Sequence, residues 1–221
     1  MLVLACAVPA PAVADMKLVD QGHDGIVVEQ GTGAPIAGAK VIGKWTVHYS
    51  SMAHEGDRCV KVLVVESDAS GKFHLPPWER FDTTVEAIDF YLYAYKPGYR
   101  FDEPRRATTS AYPGSLDKLF GFPVSIRKGD ILRVPMARWD LPPEARADYL
   151  LRQFRPSLSC YSLGRGAEYG ALYHVTRAIY DEFLGFPPDV QRPNGRDDIA
   201  KLRSWLEEDR AKLESERQGW K

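Results

Sequence analysis

Five histidines are the residues best suited to metal chemistry, and their spacing decides whether they could perform it. They are His23, His48, His54, His74 and His174. A zinc hydrolase needs three protein ligands and an open position for water, often from a His with a Glu three residues later and a distant second His. None of the five has Glu at that position, and only His54 has an acid there, Asp57. Because this stretch is polar and shows no third ligand, we interpret it as a solvated loop and predict no metal site.

Two other features could support chemistry at a nucleophile or an anion site. Cys160 and His174 are residue types that can form a reactive thiol–imidazole pair, but no thiol-protease signature surrounds Cys160. No Gly-x-Ser-x-Gly motif is present either. Gly164-Arg165-Gly166 precedes a predicted helix, where a glycine-rich turn can bind an anion, yet the full dinucleotide pattern is missing. We read these glycines as a flexible helix entry and predict a protein with no catalytic residues and no cofactor.

Three tyrosines on one predicted strand are the strongest candidates for ligand binding. Alternation along Ile88–Tyr95 puts Tyr91, Tyr93 and Tyr95 on one face and the aliphatic and phenylalanine side chains on the other. If exposed, the tyrosines would suit sugar rings or a protein partner. The alternative is a cover of C-terminal helices, which must bury their own apolar stripe. We favour the helical cover and keep the three tyrosines as tentative ligand-binding residues.

The three cysteines predict an exported protein with one disulfide. Cys6 lies in an apolar leader and would be removed by cleavage or used for lipidation, which leaves Cys59 and Cys160. Two cysteines in an oxidising compartment favour one bridge. That bridge would close a loop of about 100 residues and stabilise the fold by roughly 4–5 kcal/mol. The alternative is two unrelated buried thiols.

Residues 1–14 have the features of a signal-peptide remnant. Met1–Val8 is apolar, and Ala12-Val13-Ala14 is a small-x-small cleavage pattern, although a positive n-region is missing. We predict cleavage after Ala14. Lipidation of Cys6, which would give a lipid anchor, is the alternative, and the absence of both is the least favoured outcome. Cleavage and lipidation both predict an exported protein, periplasmic or associated with the outer membrane.

Composition argues against several classes of partner. The chain has 221 residues and a net charge of −1, with acidic and basic residues mixed throughout. Nucleic-acid binding would require a basic stripe, and none is visible, so we expect no nucleic-acid partner. No apolar run after residue 15 approaches the length of a membrane span, so we expect no transmembrane segment.

The first part of the chain predicts strands separated by turns. Six short runs rich in β-branched and aromatic residues are predicted strands: Val27-Val28, Val41–Tyr49, Val60–Glu66, Lys72–Leu75, Glu86–Lys96 and Asp130–Ala137. Asp68–Gly71 is a predicted hairpin turn, with Gly71 in the left-handed position, and Lys96–Tyr99 has the Pro-Gly order of a type II turn. Residues 102–122 hold few strand signals and are expected to form a long loop.

The remaining residues, 140–221, predict helices. Asp140 is a candidate cap for a first helix that Pro156 would end. Tyr169–Phe183 has helical apolar spacing and is followed by helix-stopping Gly185, Pro187 and Pro188. A last helix should begin near Asn194, and its mostly polar end should project into solvent or fray. We expect a bundle of about three helices packed on one face of the strand domain.

Residues 22–138 resemble the carboxypeptidase regulatory-like domain family. The motif comprises Gly25 and Val27, the run Thr32–Val41 (TGAPIAGAKV), Asp68 with Gly71 and Phe73, and Gly98-Tyr99. The resemblance implies an α+β chain whose first part is a prealbumin/Ig-like antiparallel β-sandwich, a scaffold without chemistry of its own. The polar link at residues 50–58 and the loop at 102–122 are longer than is usual in the family.

Such modules accompany peptidases, transporters and surface proteins, which implies an accessory role here. We therefore predict a non-enzymatic binding or scaffolding module of the bacterial cell envelope, whose partner is another envelope protein. The alternative is a module that binds carbohydrate or peptidoglycan, a cell-wall glycan, through the tyrosines. An unfamiliar hydrolase is the least favoured hypothesis, because no nucleophile, base and orienting group can be assembled.

Overall fold

The computed structural model of the chain describes residues 16–50, 55–82, 87–101, 105–109, 131–158, 170–192 and 196–218. These residues form a mixed α+β fold in which strands precede helices. The strands are β1 (Met16–Asp20), β2 (His23–Glu29), β3 (Lys40–Ser50), β4 (Glu55–Glu66), β5 (Lys72–Leu75), β6 (Trp78–Asp82), β7 (Ala87–Tyr95), β8 (Tyr99–Arg100), β9 (Arg105–Thr109) and β10 (Ile131–Arg138).

The strands build two four-stranded sheets and a two-stranded ribbon. One sheet has the order β4-β3-β7-β9 and is antiparallel throughout. The other has the order β5-β2-β10-β8, and its central pair, β2 and β10, is parallel. β1 and β6 pair only with each other, as an antiparallel ribbon. Several antiparallel sheets therefore confirm the mixed α+β class, while the assignment to a prealbumin-like sandwich stays a prediction.

β3 lies at the centre of the molecule because both of its faces are buried. Val41, Ile42 and Val47 have no exposed surface, and Trp45 has only 1%. On one face, Gly43 has no side chain, so the ring of Trp45 and the side chain of Leu75 from the other sheet can approach it. On the opposite face the helices cover the sheet. Burial on both faces explains why apolar side chains occur on both, Val41 on one and Ile42 on the other, although Lys40, Lys44 and Thr46 share the face of Ile42.

The two predicted turns form as expected. The Asp68 carboxylate accepts hydrogen bonds from the amides of Ser70 and Lys72, and Gly71 has φ of 77°. The amide of Tyr99 donates to the carbonyl of Lys96 across the second turn. Both turns use a backbone conformation or a side-chain acceptor that the sequence specifies locally.

Four strands, β1, β6, β8 and β9, were not predicted, and β9 corrects an expected loop. β9 pairs with β7 inside the stretch 102–122 that we expected to be a loop, and its strand signal is weak because two of its five residues are arginines. The polar link at 50–58 is mostly an extension of β3 and β4, which pair as far as Ser50 and Glu55. Residues 1–14, including Cys6, lie outside the described residues.

The helices begin with one continuous helical segment. It consists of α1 (Pro143–Asp148), a π-helical stretch (Tyr149–Phe154) and α2 (Arg155–Ser157). Pro142 precedes its first residue and no side chain caps it, so the prediction that Asp140 caps this helix is wrong. Pro156 lies inside the last turn rather than beyond it.

The later helices differ in detail from the predicted bundle. A 3₁₀ turn (Gly170–Leu172) leads into α3 (Tyr173–Leu184), and Pro188 then starts the short α4 (Pro188–Gln191). α5 (Asp198–Gln218) begins after Asp197, whose carboxylate accepts the amide of Ala200, so Asp197 caps the helix. α3 packs on α5, and α1 contacts α4. The prediction of a bundle of about three helices is not confirmed by this arrangement.

Candidate functional site: the tyrosine strip and its helical cover

The tyrosine strip, Tyr91, Tyr93 and Tyr95, lies on the face of β7 that points toward the helices. The β3–β7 register places Ile42 beside Tyr93 and Lys40 beside Tyr95 on this face. Tyr93 is 5% exposed and Tyr95 is 2% exposed, whereas Tyr91 is half-buried. The strand alternation thus puts the three rings together, as predicted, but leaves little of two of them accessible.

Tyr95 is the centre of a hydrogen-bonded cluster that joins the sheet to two helices. Its hydroxyl lies 2.6 Å from Oε2 of Glu182 and 3.0 Å from the carbonyl of Ala178, both on α3. Arg146 of α1 binds the same carboxylate in a fork, with Nε 2.9 Å from Oε1 and Nη2 3.1 Å from Oε2. Burial, together with the negative charge of Glu182, raises the pKa of Tyr95 far above its ordinary value, so the hydroxyl stays a donor.

Arg146 also holds the end of β7 in place. Its guanidinium donates to the carbonyls of Lys96 and Tyr99, on either side of the turn that follows the strand. The rings of Trp139 and Tyr149 lie 5.2 Å and 5.5 Å from the guanidinium carbon, which adds cation–π contacts. The buried charge is therefore paired, hydrogen-bonded and stacked, as a buried charge must be if it is not to destabilise the fold.

Tyr93 is tied to the end of the first helical segment. The carbonyl of Ser157 accepts hydrogen bonds from the Tyr93 hydroxyl at 3.3 Å and from Nζ of Lys44 at 3.0 Å. Lys44 is also 5.8 Å from the centre of the Tyr91 ring. Burial raises the pKa of Tyr93 to about 12. The last turn of this helical segment is thus fixed directly over the strip.

This cover agrees with the arrangement that we favoured from sequence and argues against the glycan-binding alternative. A sugar platform needs an accessible ring face. Tyr93 and Tyr95 offer none, since their rings are buried and their hydroxyls donate to helix groups. Only Tyr91 retains partial exposure. The strip acts in the structure as an attachment surface for the protein's own helices.

A second buried ion pair joins the helices to one another. Nη2 of Arg155 in α2 lies 2.7 Å from Oδ2 of Asp209 in α5, and both side chains are at least 94% buried. Thr176 of α3, fully buried, accepts from Nε of Arg155 and donates to the same Asp209 oxygen. The ring of Trp205 packs 5.3 Å from the guanidinium carbon. One charged pair therefore connects three helices.

A half-buried Asp–His pair lies where β1 leads into β2. Oδ2 of Asp20 is 2.9 Å from Nε2 of His23 and 2.9 Å from Nε1 of Trp45, and Oδ1 accepts the amide of Gly22 at 2.8 Å. The imidazole stacks on Phe90 with ring centres 4.6 Å apart. Burial raises the pKa of Asp20, but the hydrogen bonds and charge of His23, with those from Gly22 and Trp45, outweigh it, so the pKa lies below the ordinary value.

Of the other candidate residues named from the sequence, some lie within the described residues and others lie outside them. Cys59 lies on β4, 2% exposed, and its predicted partner Cys160 lies outside the described residues. His54 and Gly164–Gly166 also lie outside them, and His174 is exposed on α3. Across the described ranges, no three His, Cys, Asp or Glu side chains are grouped so that they could hold a metal ion. The bridge remains a prediction.

The buried arginines and their acidic partners were missed from sequence. One signal was available: Asp209 falls on the same helical stripe as Ile199, Leu202, Leu206 and Leu213. A charged residue at an apolar position indicates a buried partner, because an unpaired buried charge is costly. Nothing in the sequence, however, identified Arg155 as that partner.

Comparisons with known proteins do not assign this chain to a family. No protein-family model and no curated protein matches it. It is similar to the Streptococcal ancillary pilin, with 16% identity and a TM-score of 0.28 over 55% of this chain and 30% of that one. It is also similar to a 9R-lipoxygenase from Cyanothece PCC8801, with 11% identity and a TM-score of 0.20 over 83% of this chain and 30% of that one.

The chain therefore spans about a third of the length of these solved structures, and likenesses this weak do not support any function. Within the described ranges, no helix combines the length and the hydrophobicity that a membrane span requires.

Proposed function

We propose that this protein is a non-enzymatic, exported accessory protein that binds or scaffolds another protein of the cell envelope. The observation that carries the proposal is the helical cover on the tyrosine strip. Tyr93, Tyr95 and Arg146, which could have formed a ligand site, are engaged in holding the helices on the sheet. The resemblance of residues 22–138 to an accessory sandwich module supports the same role.

The far end of α5 is the surface we favour for the partner. Among the described side chains of this helix, Asp209 is the last that is buried, and those after it are exposed apart from half-buried Leu213. These exposed residues carry both signs of charge, including the Arg210–Glu214 pair. A charged, projecting helix is suited to a polar protein contact and unsuited to burial in the chain's own core.

The geometry around Ser157 supports the proposed Cys59–Cys160 bridge. Lys44, on one face of β3, donates a hydrogen bond to the Ser157 carbonyl. Thr46 lies two residues further along β3 on the same face, and it is opposite Cys59 in the register of β3 with β4. Cys160 follows Ser157 by three residues, and an extended chain of that length spans about 10 Å. A bridge here would pin the end of the first helical segment to β4. Such a bond is expected in an exported protein and unusual in the cytosol.

An in-cell crosslinking experiment tests the proposed role. The full chain and a variant ending at Asp209 are expressed with the same tag, crosslinked and fractionated. The shorter chain keeps Asp209, the partner of Arg155 in the full chain, and serves as the matched variant. We expect the full chain in the envelope fraction with a crosslinked protein that the shorter chain fails to capture. Recovery of the full chain only in the cytosol would contradict the proposal.

A sedimentation assay distinguishes the glycan alternative. The purified chain and its Tyr91→Ala variant are mixed with isolated cell-wall glycan. Because Tyr91 is the one member of the strip with partial exposure, it is the residue on which glycan binding would depend. We expect neither protein to sediment. Sedimentation of the unmodified chain that Tyr91→Ala abolishes would establish the glycan function instead.

A further inference from the structure

The β1–β6 ribbon continues the β2–β5 pair in the same register beyond Gly22 and Pro77, but as a separate two-stranded ladder. Its strands pair with each other from Met16 with Asp82 to Asp20 with Trp78, and with no strand of either sheet. A two-stranded ribbon alone is marginally stable in water. Contacts with the rest of the molecule must therefore hold the ribbon in place.

Among the described side chains, such contacts are made at the end of the ribbon formed by Asp20 and Trp78. The indole of Trp78 meets that of Trp45 edge-on, with ring centres 5.5 Å apart. The Asp20 carboxylate accepts from Trp45 on β3 and lies against His23 on β2, so it joins the ribbon to both sheets. At the same end, Val19 is half exposed and buries little apolar surface. The carboxylate is thus a polar attachment of the ribbon to both sheets.

We propose that Asp20 is an acid-sensitive latch, which holds the β1–β6 ribbon on the sheets while it is ionised and releases the ribbon when it is protonated. The proton changes the carboxylate from an acceptor of three hydrogen bonds into a neutral group with weaker acceptor capacity. His23 is the titratable group that faces it, with Nε2 2.9 Å from Oδ2, and that hydrogen bond is weakened in the same step. Both effects weaken the attachment and leave the backbone pairing of β3 with β7 in place.

The pH at which the latch opens follows from the direction of the shift. The pKa of Asp20 in the folded protein lies below the ordinary value of 3.8. The latch therefore contributes fully above that value and loses its contribution as the pH falls through the lower, folded value. The ribbon should stay attached through mildly acidic conditions and detach only in stronger acid.

Hydrogen exchange of the full chain, corrected for the intrinsic pH dependence of exchange, tests the latch. Between neutral pH and pH 3 and below, we expect the amides of residues 16–20 and 78–82 to lose at least about tenfold protection before those of β3 and β7 do. Asp20→Asn should show the same loss already at neutral pH. The control Asp24→Asn removes a carboxylate that also pairs with a histidine but is 74% exposed, and it should behave as the unmodified chain.

Two results would overturn the proposal. One is simultaneous loss of protection in the ribbon and in β3 and β7 of the unmodified chain, which would mean that acid unfolds the whole protein. The other is an Asp20→Asn variant whose ribbon is as protected at neutral pH as that of the unmodified chain. Should Asp20→Asn fail to fold, the pH series on the unmodified chain still decides the question.

Discussion

A buried arginine is tolerated only if its charge is paired and its N–H groups are hydrogen-bonded, and the helical cover contains two such residues. Arg146 binds both oxygens of Glu182, and Arg155 binds Asp209 and Thr176. Replacing such a pair with apolar residues is often harmless, whereas removing one partner is costly. We therefore expect these residues to specify where the helices dock more than to add net stability.

The Asp209→Ala variant on α5 tests whether removing one partner of a buried ion pair is costly here. Because the change leaves Arg155 buried without its counter-charge, we expect the free energy of unfolding to fall by about 3–5 kcal/mol in urea denaturation. Glu214→Ala, on the same helix, removes an exposed carboxylate that pairs with Arg210, and should change stability by less than about 1 kcal/mol. Equal effects of the two variants would show that the buried pair has no special role.

Tyr95→Phe tests the other cluster. The ring and its packing remain, but Glu182 loses one hydrogen-bond donor in a buried site, so we expect a loss of about 1–2 kcal/mol. Tyr173→Phe on α3 is the control, since that ring is half-buried and should tolerate the change within about 0.5 kcal/mol. Thermal or urea unfolding measures the stability of both variants. A Tyr95→Phe variant as stable as the Tyr173→Phe control would show that the Tyr95–Glu182 hydrogen bond does not stabilise the fold.

At the scale of elements, the π-helical stretch explains how one helical segment presents two arginines to α3. Arg146 and Arg155 are nine positions apart, which in an α-helix at 100° per residue would place them about 180° apart. The extra residue in each turn of Tyr149–Phe154 rotates Arg155 back toward the side of Arg146. The stretch also lies just before Pro156, which lacks an N–H and would crowd a carbonyl of a regular α-helix.

Much of the strand framework is predictable from sequence, because burial imposes a pattern on it. β3, β5, β7 and β10 carry runs of apolar and β-branched residues, and each was predicted close to its observed bounds. β6 and β9, with sequences WERFD and RRATT, lack such runs and were missed. Their formation depends on pairing with another strand, β1 for β6 and β7 for β9, and the local sequence does not identify that partner.

The candidate site was predictable to a smaller extent. Alternation placed Tyr91, Tyr93 and Tyr95 on one face, and the need of the helices to bury a stripe predicted their cover. The hydrogen-bond partners, Glu182 and Ser157, could not be predicted, since they are set by the crossing of helices on the sheet.

Gly71→Ala tests how strongly the hairpin turn depends on its glycine. Gly71 has φ of 77°, and a Cβ there would lie 2.6 Å from the carbonyl oxygen of Val27. Gly98 has φ of 75°, but no atom within 4 Å of the corresponding Cβ position. We expect Gly71→Ala to cost about 2–4 kcal/mol and Gly98→Ala only about 1 kcal/mol. Equal costs in urea denaturation would mean that the backbone conformation alone, without the close approach, sets the penalty.

At the scale of the whole molecule, the proposed Cys59–Cys160 bridge would connect the strands with the helices. Reduction should then lower the free energy of unfolding by roughly 4–5 kcal/mol, because the cross-link restricts a loop of about 100 residues in the unfolded chain. Peptide mapping without reductant should recover the two cysteines in one linked species. Two alkylated thiols in protein isolated from an oxidising compartment would refute the bridge.

The parallel pairing of β2 with β10 has a consequence for how the molecule is made. Residues 24–29 find their neighbours in residues 131–136, roughly 100 positions later, so one sheet lacks a central strand until most of the polypeptide has left the ribosome. β5 can pair with one edge of the emerging β2 segment, but its other edge lacks a partner strand until residues 131–136 have been synthesised. Nascent chains of this protein should accordingly depend on a chaperone until translation has passed β10.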